Sequence, residues 1–237
     1  TIVNLCLIFS KSLIKNNLFV ITELKDSNLT HVAKKFNAKI IEHKRFIGGR
    51  YSVLSEVSML PAALMGLDIK KFRNISKLLK NKFFVKSLIK NVACLYSLNQ
   101  KNIKNSVILS YDSDLNDLGY WYQQLTAESL GKKGRGINPF LSFAPRDHHS
   151  MLQLYLDGPK DKIYTFFTSS KTSRKDNRIF KTNFLKDMSF LKNKNLGTVL
   201  KAQSEATMNI FKLKKIPFRH FEFNKKSEAE LGELFTF

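Results

Sequence analysis

Three short segments carry side chains suited to moving a proton beside a developing negative charge. The first is Gly48-Gly49-Arg50-Tyr51-Ser52-Val53-Leu54-Ser55. Glycines lack Cβ, so the backbone can take unusual dihedrals and approach a ligand closely, while Arg50 adds a permanent charge with forked donors; together these are the makings of an anion site. Two adjacent glycines also make a plain turn. The second segment holds Gln124 and Glu128, one helical turn apart and so on one side of a helix. Leu115, Leu118, Tyr122 and Leu125 form an apolar stripe at helical spacing, and Glu128 continues it, which predicts a carboxylate at the edge of a buried face. Partial desolvation there would raise its pKa towards the range useful for moving a proton between carbons. A solvated helix-end glutamate, with Gln124 equally solvated, is the alternative. The third segment is Asp147-His148-His149, where an imidazole can exchange protons near neutral pH. His31, His43 and His220 have no supporting neighbours and read as structural or surface residues.

The elements that must position these residues alternate between helix and strand. Ile2 to Leu13 carries a helical stripe, Leu18 to Thr22 is a buried-strand run, Leu29 to Phe36 is helical and Ala38 to Glu42 is the next strand. Such alternation implies a parallel sheet with covered faces. Gly48-Gly49-Arg50 follows the run Ile40 to Phe46, at the carboxyl end of a strand, where open α/β sheets bind ligands. An apolar helix, Leu54 to Met65, is interrupted by Pro61, and residues 67–98 form a lysine-rich helical connector. A second unit begins with the strand Ser106 to Tyr111 and the helix Ser113 to about Leu130. It continues through a short run at Phe140 to Phe143, a helix Asp147 to Leu156, the strand Ile163 to Phe167, a helix Lys201 to Leu213 that serves core packing, the strand Phe218 to Phe223 and a last helix from Ser227.

Composition narrows the function classes. A chain of 237 residues with 43% hydrophobic side chains, ten glycines and five prolines is globular material with a sizeable core. Its formal charge is +21, from 40 Lys and Arg against 19 Asp and Glu. The lysines are scattered in pairs such as Lys34-Lys35, Lys70-Lys71 and Lys214-Lys215, with no single stripe interleaved with aromatics, which argues against nucleic-acid binding. An A/T-rich codon bias, favouring Lys, Asn, Ile and Phe, accounts for the excess. A basic surface can still raise encounter rates with an anionic ligand. Cys6 and Cys94 sit among apolar neighbours without ligand spacing, and read as reduced core residues of a cytosolic protein. No metal motif occurs. The apolar run Thr1 to Phe9 is too short to span a bilayer and has no basic leader, so no membrane association is expected.

Three collinear motifs carry a resemblance: Gly48-Gly49-Arg50-Tyr51-Ser52, Ala127-Glu128-Ser129-Leu130-Gly131-Lys132, and His149 with the run Ser150 to Pro159 that follows it. Together the chain resembles the phosphoglucose isomerase family over nearly its whole length. The resemblance implies an α/β fold of two tandem three-layer, parallel-sheet sugar isomerase (SIS) subdomains, truncated at both ends. Residues 1–66 would be the C-terminal part of the first, 67–98 the connector and 99–237 the second. It implies an aldose-ketose isomerase acting on glucose 6-phosphate and fructose 6-phosphate through an enediolate, with Glu128 as the base, Arg50 as the cation facing the enediolate and His149 in ring opening. Gly49 shares the arginine's loop and Gln124 contacts the phosphate end. No cofactor or metal is implied, and a cytoplasmic homodimer with shared active sites is, because this histidine reaches into the partner's site. Gln usually precedes the histidine where His148 stands, and the register of Ser150 to Gly158 assigns the inward-pointing role to His149. Ser58 replaces a usual Gly and Thr126 a common Trp. The family's Ser/Thr-rich phosphate loop would precede Thr1, and its ring-opening lysine would follow Phe237. A non-catalytic sugar-phosphate-binding SIS protein would share the architecture without needing Glu128.

Overall fold

The structure, a computed structural model, describes residues 18–170 and 186–237. Cys6 and the helix expected over Ile2 to Leu13 lie outside them. The chain divides into two compact units: one comprises the residues up to Leu79 together with Leu231–Phe237, and the other Lys80–Glu230.

In the first unit, β1 (Phe19–Thr22) and β2 (Lys39–Glu42) pair in parallel, Val20 opposite Ile40, with α1 (Asn28–Lys35) crossing between them. A capping box starts α1: the Thr30 amide donates to Ser27 Oγ at 3.3 Å and the Ser27 amide to Thr30 Oγ1 at 3.0 Å. The helix buries Val32 and Ala33 and ends on Lys34 and Lys35, whose charge suits the carbonyl end of the helix dipole. After β2 the chain makes a 3-10 helix, Gly49–Leu54, and then α2 (Glu56–Leu64), capped by Ser55. Pro61, expected to interrupt this helix, is carried within it. The lysine-rich stretch is helical in three pieces, α3 (Ile69–Phe72), α4 (Ile75–Lys80) and α5 (Lys82–Gln100). Asp68 caps the first piece and Asn81 the third, each accepting two amide hydrogens at the start of the piece it caps.

The second unit is a four-stranded parallel sheet in the order β4-β3-β5-β6, with β3 Asn105–Ser110, β4 Asn138–Phe143, β5 Lys162–Ser169 and β6 Phe218–Phe223. The two central strands are buried along nearly their whole length, as parallel strands covered on both faces must be. Val107, Leu109 and Tyr111 of β3 and its extension, with Tyr164 and Phe166 of β5, face α7 (His148–Asp157) and α8 (Leu196–Leu213) through Tyr155 and Phe211. Alternation sends Thr165 to the other face. There Arg219 of β6 donates to Thr165 Oγ1 (2.9 Å), Asn91 Oδ1 of α5 (3.1 Å) and the Tyr122 hydroxyl of α6 (Asn116–Leu130; 2.5 Å). The result is a helix-sheet-helix sandwich, the expected parallel α/β architecture. Phe211 is fully buried, which is worth roughly 1.5–3 kcal/mol for a side chain of its size. A final helix, α9 (Glu228–Thr236), follows β6.

Cys94 corrects one expectation. It is exposed on α5, where Val92, Ala93 and Tyr96 are exposed too and Phe84 is the buried residue. Apolar neighbours along a helix point in different directions, so they do not by themselves make a buried site.

Candidate active site

The glycine-arginine turn is held by a short relay of polar contacts. Ser52, buried, donates from Oγ to the Gly49 carbonyl at 2.7 Å, and Ser55 donates from Oγ to the Ser52 carbonyl at 2.7 Å. The Tyr51 amide closes on the Gly48 carbonyl at 2.9 Å, and the Arg50 guanidinium carbon lies 5.9 Å from the centre of the Tyr51 ring. Neither Gly48 nor Gly49 takes the left-handed conformation, which among the described glycines belongs to Gly66, Gly134 and Gly136. The unusual-dihedral argument for the pair therefore fails. Space is what remains of it: a methyl group built on Gly49 meets no heavy atom within 4 Å, and one on Gly48 meets only Tyr51, at 3.8 Å.

Both ends of this turn are tied to one imidazole. His43 follows β2, its amide still donating to the Thr22 carbonyl at 2.9 Å. Its Nδ1 bonds the Glu56 carboxylate at the start of α2, and its Nε2 the Ile47 carbonyl at 3.0 Å. The Glu56 hydrogen bond is the main influence holding the His43 pKa above the ordinary imidazole value. Burial pushes Glu56 upwards, but its own backbone amide, His43 and the Lys44 amide outweigh that and leave it below a normal glutamate. Nothing in the sequence marked His43 or Glu56, because the two are thirteen residues apart and no local pattern links them.

In the second unit, α6 brings Gln124 and Glu128 together, with Gln124 Nε2 donating to Glu128 Oε1 at 2.9 Å. Both residues are exposed, so the expected desolvation of Glu128 is not found. Leu115, Gly119 and Thr126 are buried, and Leu118, Tyr122 and Leu125 of the expected stripe are half-buried beside them. Gly119 is buried against Leu141 of β4, where an added Cβ would lie 2.6 Å from Leu141 Cδ1. Two residues beyond Thr126, about 200° around the helix, Glu128 faces outward. Thr126, standing where a Trp is common, is buried.

The paired histidines separate at the start of α7. His148, not His149, turns inward. Its Nε2 lies 3.0 Å from the Tyr111 hydroxyl, which donates to Thr207 Oγ1 at 2.9 Å, and Thr207 in turn donates to the Gln203 carbonyl at 2.9 Å. With its own hydrogen given to Thr207, the Tyr111 oxygen accepts from His148, whose pKa burial lowers; the imidazole is therefore neutral with its hydrogen on Nε2. Burial pushes Tyr111 up to about 12, so it remains a donor. His149 is exposed. Asp147 holds the turn: its Oδ2 accepts the Phe143 amide at 2.7 Å and its Oδ1 the Arg146 Nε at 2.7 Å. Gln124 and Glu128 thus meet, His149 begins a helix on the opposite face of the sheet, and Arg50 belongs to the other unit.

A separate cavity of about 130 Å³ lies at the carboxyl ends of β3 and β5, lined by Asp112, Ser169, Lys201, Glu205 and His220 among others. None of the sequence-derived candidates lines it. Beside it Lys226 Nζ bonds Asp112 (2.9 Å) and Asp114 (2.5 Å), and Ser169 donates to the same Asp112 oxygen at 2.5 Å. Burial works against the Lys226 charge, yet the two aspartates hold its pKa above the ordinary lysine value. Among the described residues, no group of three or more His, Cys, Asp or Glu side chains is placed to hold one metal ion. No helix among them is long and apolar enough to cross a membrane.

Parallel strands covered by helices on both faces define a three-layer α/β protein. The phosphoglucose isomerase family pattern matches residues 26–233. The chain is 34% identical over 221 residues to the probable glucose-6-phosphate isomerase of Methanococcus maripaludis, covering 91% of this chain and 49% of that protein. It is also 34% identical over 231 residues to the glucose-6-phosphate isomerase of Campylobacter jejuni, covering 92% and 56%. A crystal structure of a hypothetical protein from Thermus thermophilus superposes with a TM-score of 0.82 at 26% identity, over 98% of this chain and 59% of that one. A glucose-6-phosphate isomerase from Chlamydia trachomatis superposes at 0.71 over 98% of this chain and 48% of that one; at 13% identity this speaks for the fold alone. The chain belongs to the phosphoglucose isomerase family, as its motifs indicated. It spans about half the length of these curated relatives.

Proposed function

We propose that this chain carries part of the machinery of an aldose-ketose isomerase that interconverts glucose 6-phosphate and fructose 6-phosphate. The observation that carries the reading is the family match across residues 26–233, which includes the Gly49-Arg50 turn, the Gln124-Glu128 pair and His149. Glu128 is the base: it takes the proton from C2 of the open-chain aldose, the C–H electron pair forms the C1–C2 double bond, and the carbonyl oxygen takes up the negative charge. The same carboxylate returns the proton to C1, and the proton of the C2 hydroxyl passes to the C1 oxygen, which leaves a hydroxyl at C1 and the carbonyl at C2. Arg50 opposes the charge that grows on the enediolate oxygens, and so binds the transition state more strongly than the ground state. Gln124 holds Glu128 through its amide and contacts the phosphate end. The open space over Gly49 lets substrate lie close to the backbone.

His149 acts in ring opening, and its exposed place at the start of α7 suits a side chain that reaches into the site of a second subunit. The enzyme is accordingly a homodimer with shared active sites, in the cytoplasm, with two SIS subdomains divided by a helical connector. Glu128→Gln in the intact protein is expected to lower kcat by about 10²–10⁴-fold. It should abolish exchange of the C2 proton with deuterated solvent, followed by NMR, while sugar-phosphate binding persists. Turnover retained in that variant removes Glu128 from the role of base.

A further inference from the structure

The turn that bears Arg50 is bounded by two residues that touch the same imidazole. From Ile47 to Glu56 the chain leaves the end of β2, forms the Gly48-Gly49-Arg50 turn and the 3-10 helix, and returns at the first residue of α2. His43 donates from Nε2 to the Ile47 carbonyl at 3.0 Å and from Nδ1 to the Glu56 carboxylate. A carbonyl oxygen can only accept, and so can an ionised carboxylate; both ring nitrogens must therefore carry hydrogen, and the imidazole is a cation. Its side chain is 15% exposed and that of Glu56 25%, so the pair is only partly screened by water.

We propose that His43, in its protonated form, is a positioning residue that fixes the Gly48-Gly49-Arg50 turn by tying Ile47 to Glu56, and so sets where the Arg50 guanidinium meets the enediolate charge. This rests on the reading of Arg50 given above. His43 does not touch substrate in this proposal; it acts through the turn. The charged groups that bear on it are Glu56 from α2 and Glu23 from the end of β1, and Glu23 is itself held by Lys25 and Arg45. Both carboxylates favour the cation. Because the folded-state pKa is raised, the clamp is complete below the ordinary imidazole value and is lost as pH rises through the raised one. Neutral imidazole can keep only one of the two donated bonds, which releases one end of the turn.

The test is a double-mutant cycle in the intact protein, with fructose 6-phosphate as substrate: wild type, His43→Gln, Arg50→Ala and the double variant, each across pH. His43→Gln is expected to lower kcat by about 10- to 100-fold, the scale of a misplaced catalytic group, with a much smaller change in KM. The double variant should be no slower than Arg50→Ala alone, because His43 has nothing left to position. Glu56→Gln, which removes the charge that sustains the cation, should move the alkaline fall of kcat to lower pH; this readout holds even if His43→Gln does not fold. The proposal is overturned if His43→Gln matches wild type, if its loss multiplies undiminished onto Arg50→Ala, or if Glu56→Gln leaves the alkaline limb in place. An Arg50→Ala enzyme that turns over as wild type sinks the underlying reading instead, and so is distinguishable from failure of the clamp alone.

Discussion

Gly49→Ala separates a glycine kept for substrate from one kept for folding. The residue opens a 3-10 helix, its φ lies outside the left-handed region, and a methyl group there meets no heavy atom within 4 Å. Alanine therefore fits the folded chain without strain and narrows the unfolded ensemble, a combination worth about 0.4–1 kcal/mol of added stability. For a protein of this size that is a rise of about 1–4 °C in Tm. Activity should move the other way. If sugar phosphate lies against the Gly49 backbone, the methyl group occupies its place and pushes it from Arg50, at a loss of at least about tenfold in kcat/KM, or about 1.4 kcal/mol of transition-state stabilisation. Thermal melts of the intact protein and a coupled assay of glucose 6-phosphate formation give the two quantities. A variant that melts lower would show that the glycine serves the fold. One with unchanged kcat/KM would refute the close-approach argument.

Two further expectations concern stability, both read by thermal melts. Lys226→Met leaves the Asp112 carboxylate, 11% exposed, without its cation, and should cost about 3 kcal/mol; adding Asp112→Asn should recover most of it. At alkaline pH the wild type loses this contribution as pH rises through the raised Lys226 pKa. Gly232→Ala puts a Cβ 2.2 Å from the Phe72 carbonyl oxygen, both within the first unit, so a substitution that helix propensity alone would favour by about 1 kcal/mol should instead destabilise by about 1–3 kcal/mol.

The order and type of the elements were legible because each carries its own periodicity. The apolar runs at Ser106 to Tyr111 and Ile163 to Phe167 read as strands, and the Leu29 to Phe36 stripe ends where Asn37 takes a positive φ. What escaped was which face of a helix packs. On α6 the expected leucines at 118 and 125 are half-buried, and the most buried positions beside them are Gly119 and Thr126, Gly119 because the absent side chain lets the helix approach Leu141. Glu128, two residues past buried Thr126, is turned to water. α8 starts five residues ahead of its expected apolar stripe because the Asn195 side chain accepts the Thr198 amide at 2.7 Å, an end effect that apolar spacing does not show. The His43 to Glu56 link was invisible for a different reason: the turn that brings them together is itself the product of the fold.

The adjacent histidines show how one local pattern can hold two roles. Successive helical residues point about 100° apart, so two side chains at the start of α7 cannot both face the sheet. His148 takes that direction because Tyr111 offers it an acceptor oxygen whose own hydrogen is already committed to Thr207. Breaking this anchor costs the net worth of one hydrogen bond, about 0.5–1.5 kcal/mol, while Tyr111 stays bonded to Thr207. The anchor in turn fixes the first turn of α7, which Asp147 secures from the other side through the Phe143 amide. His149, next along, is thereby held outward on a rigid helix end instead of a loop. For a proton donor that must meet a substrate held by another subunit, such an anchored outward placement is what the proposed mechanism needs. The same placement follows from the packing of His148, whether or not a substrate is bound.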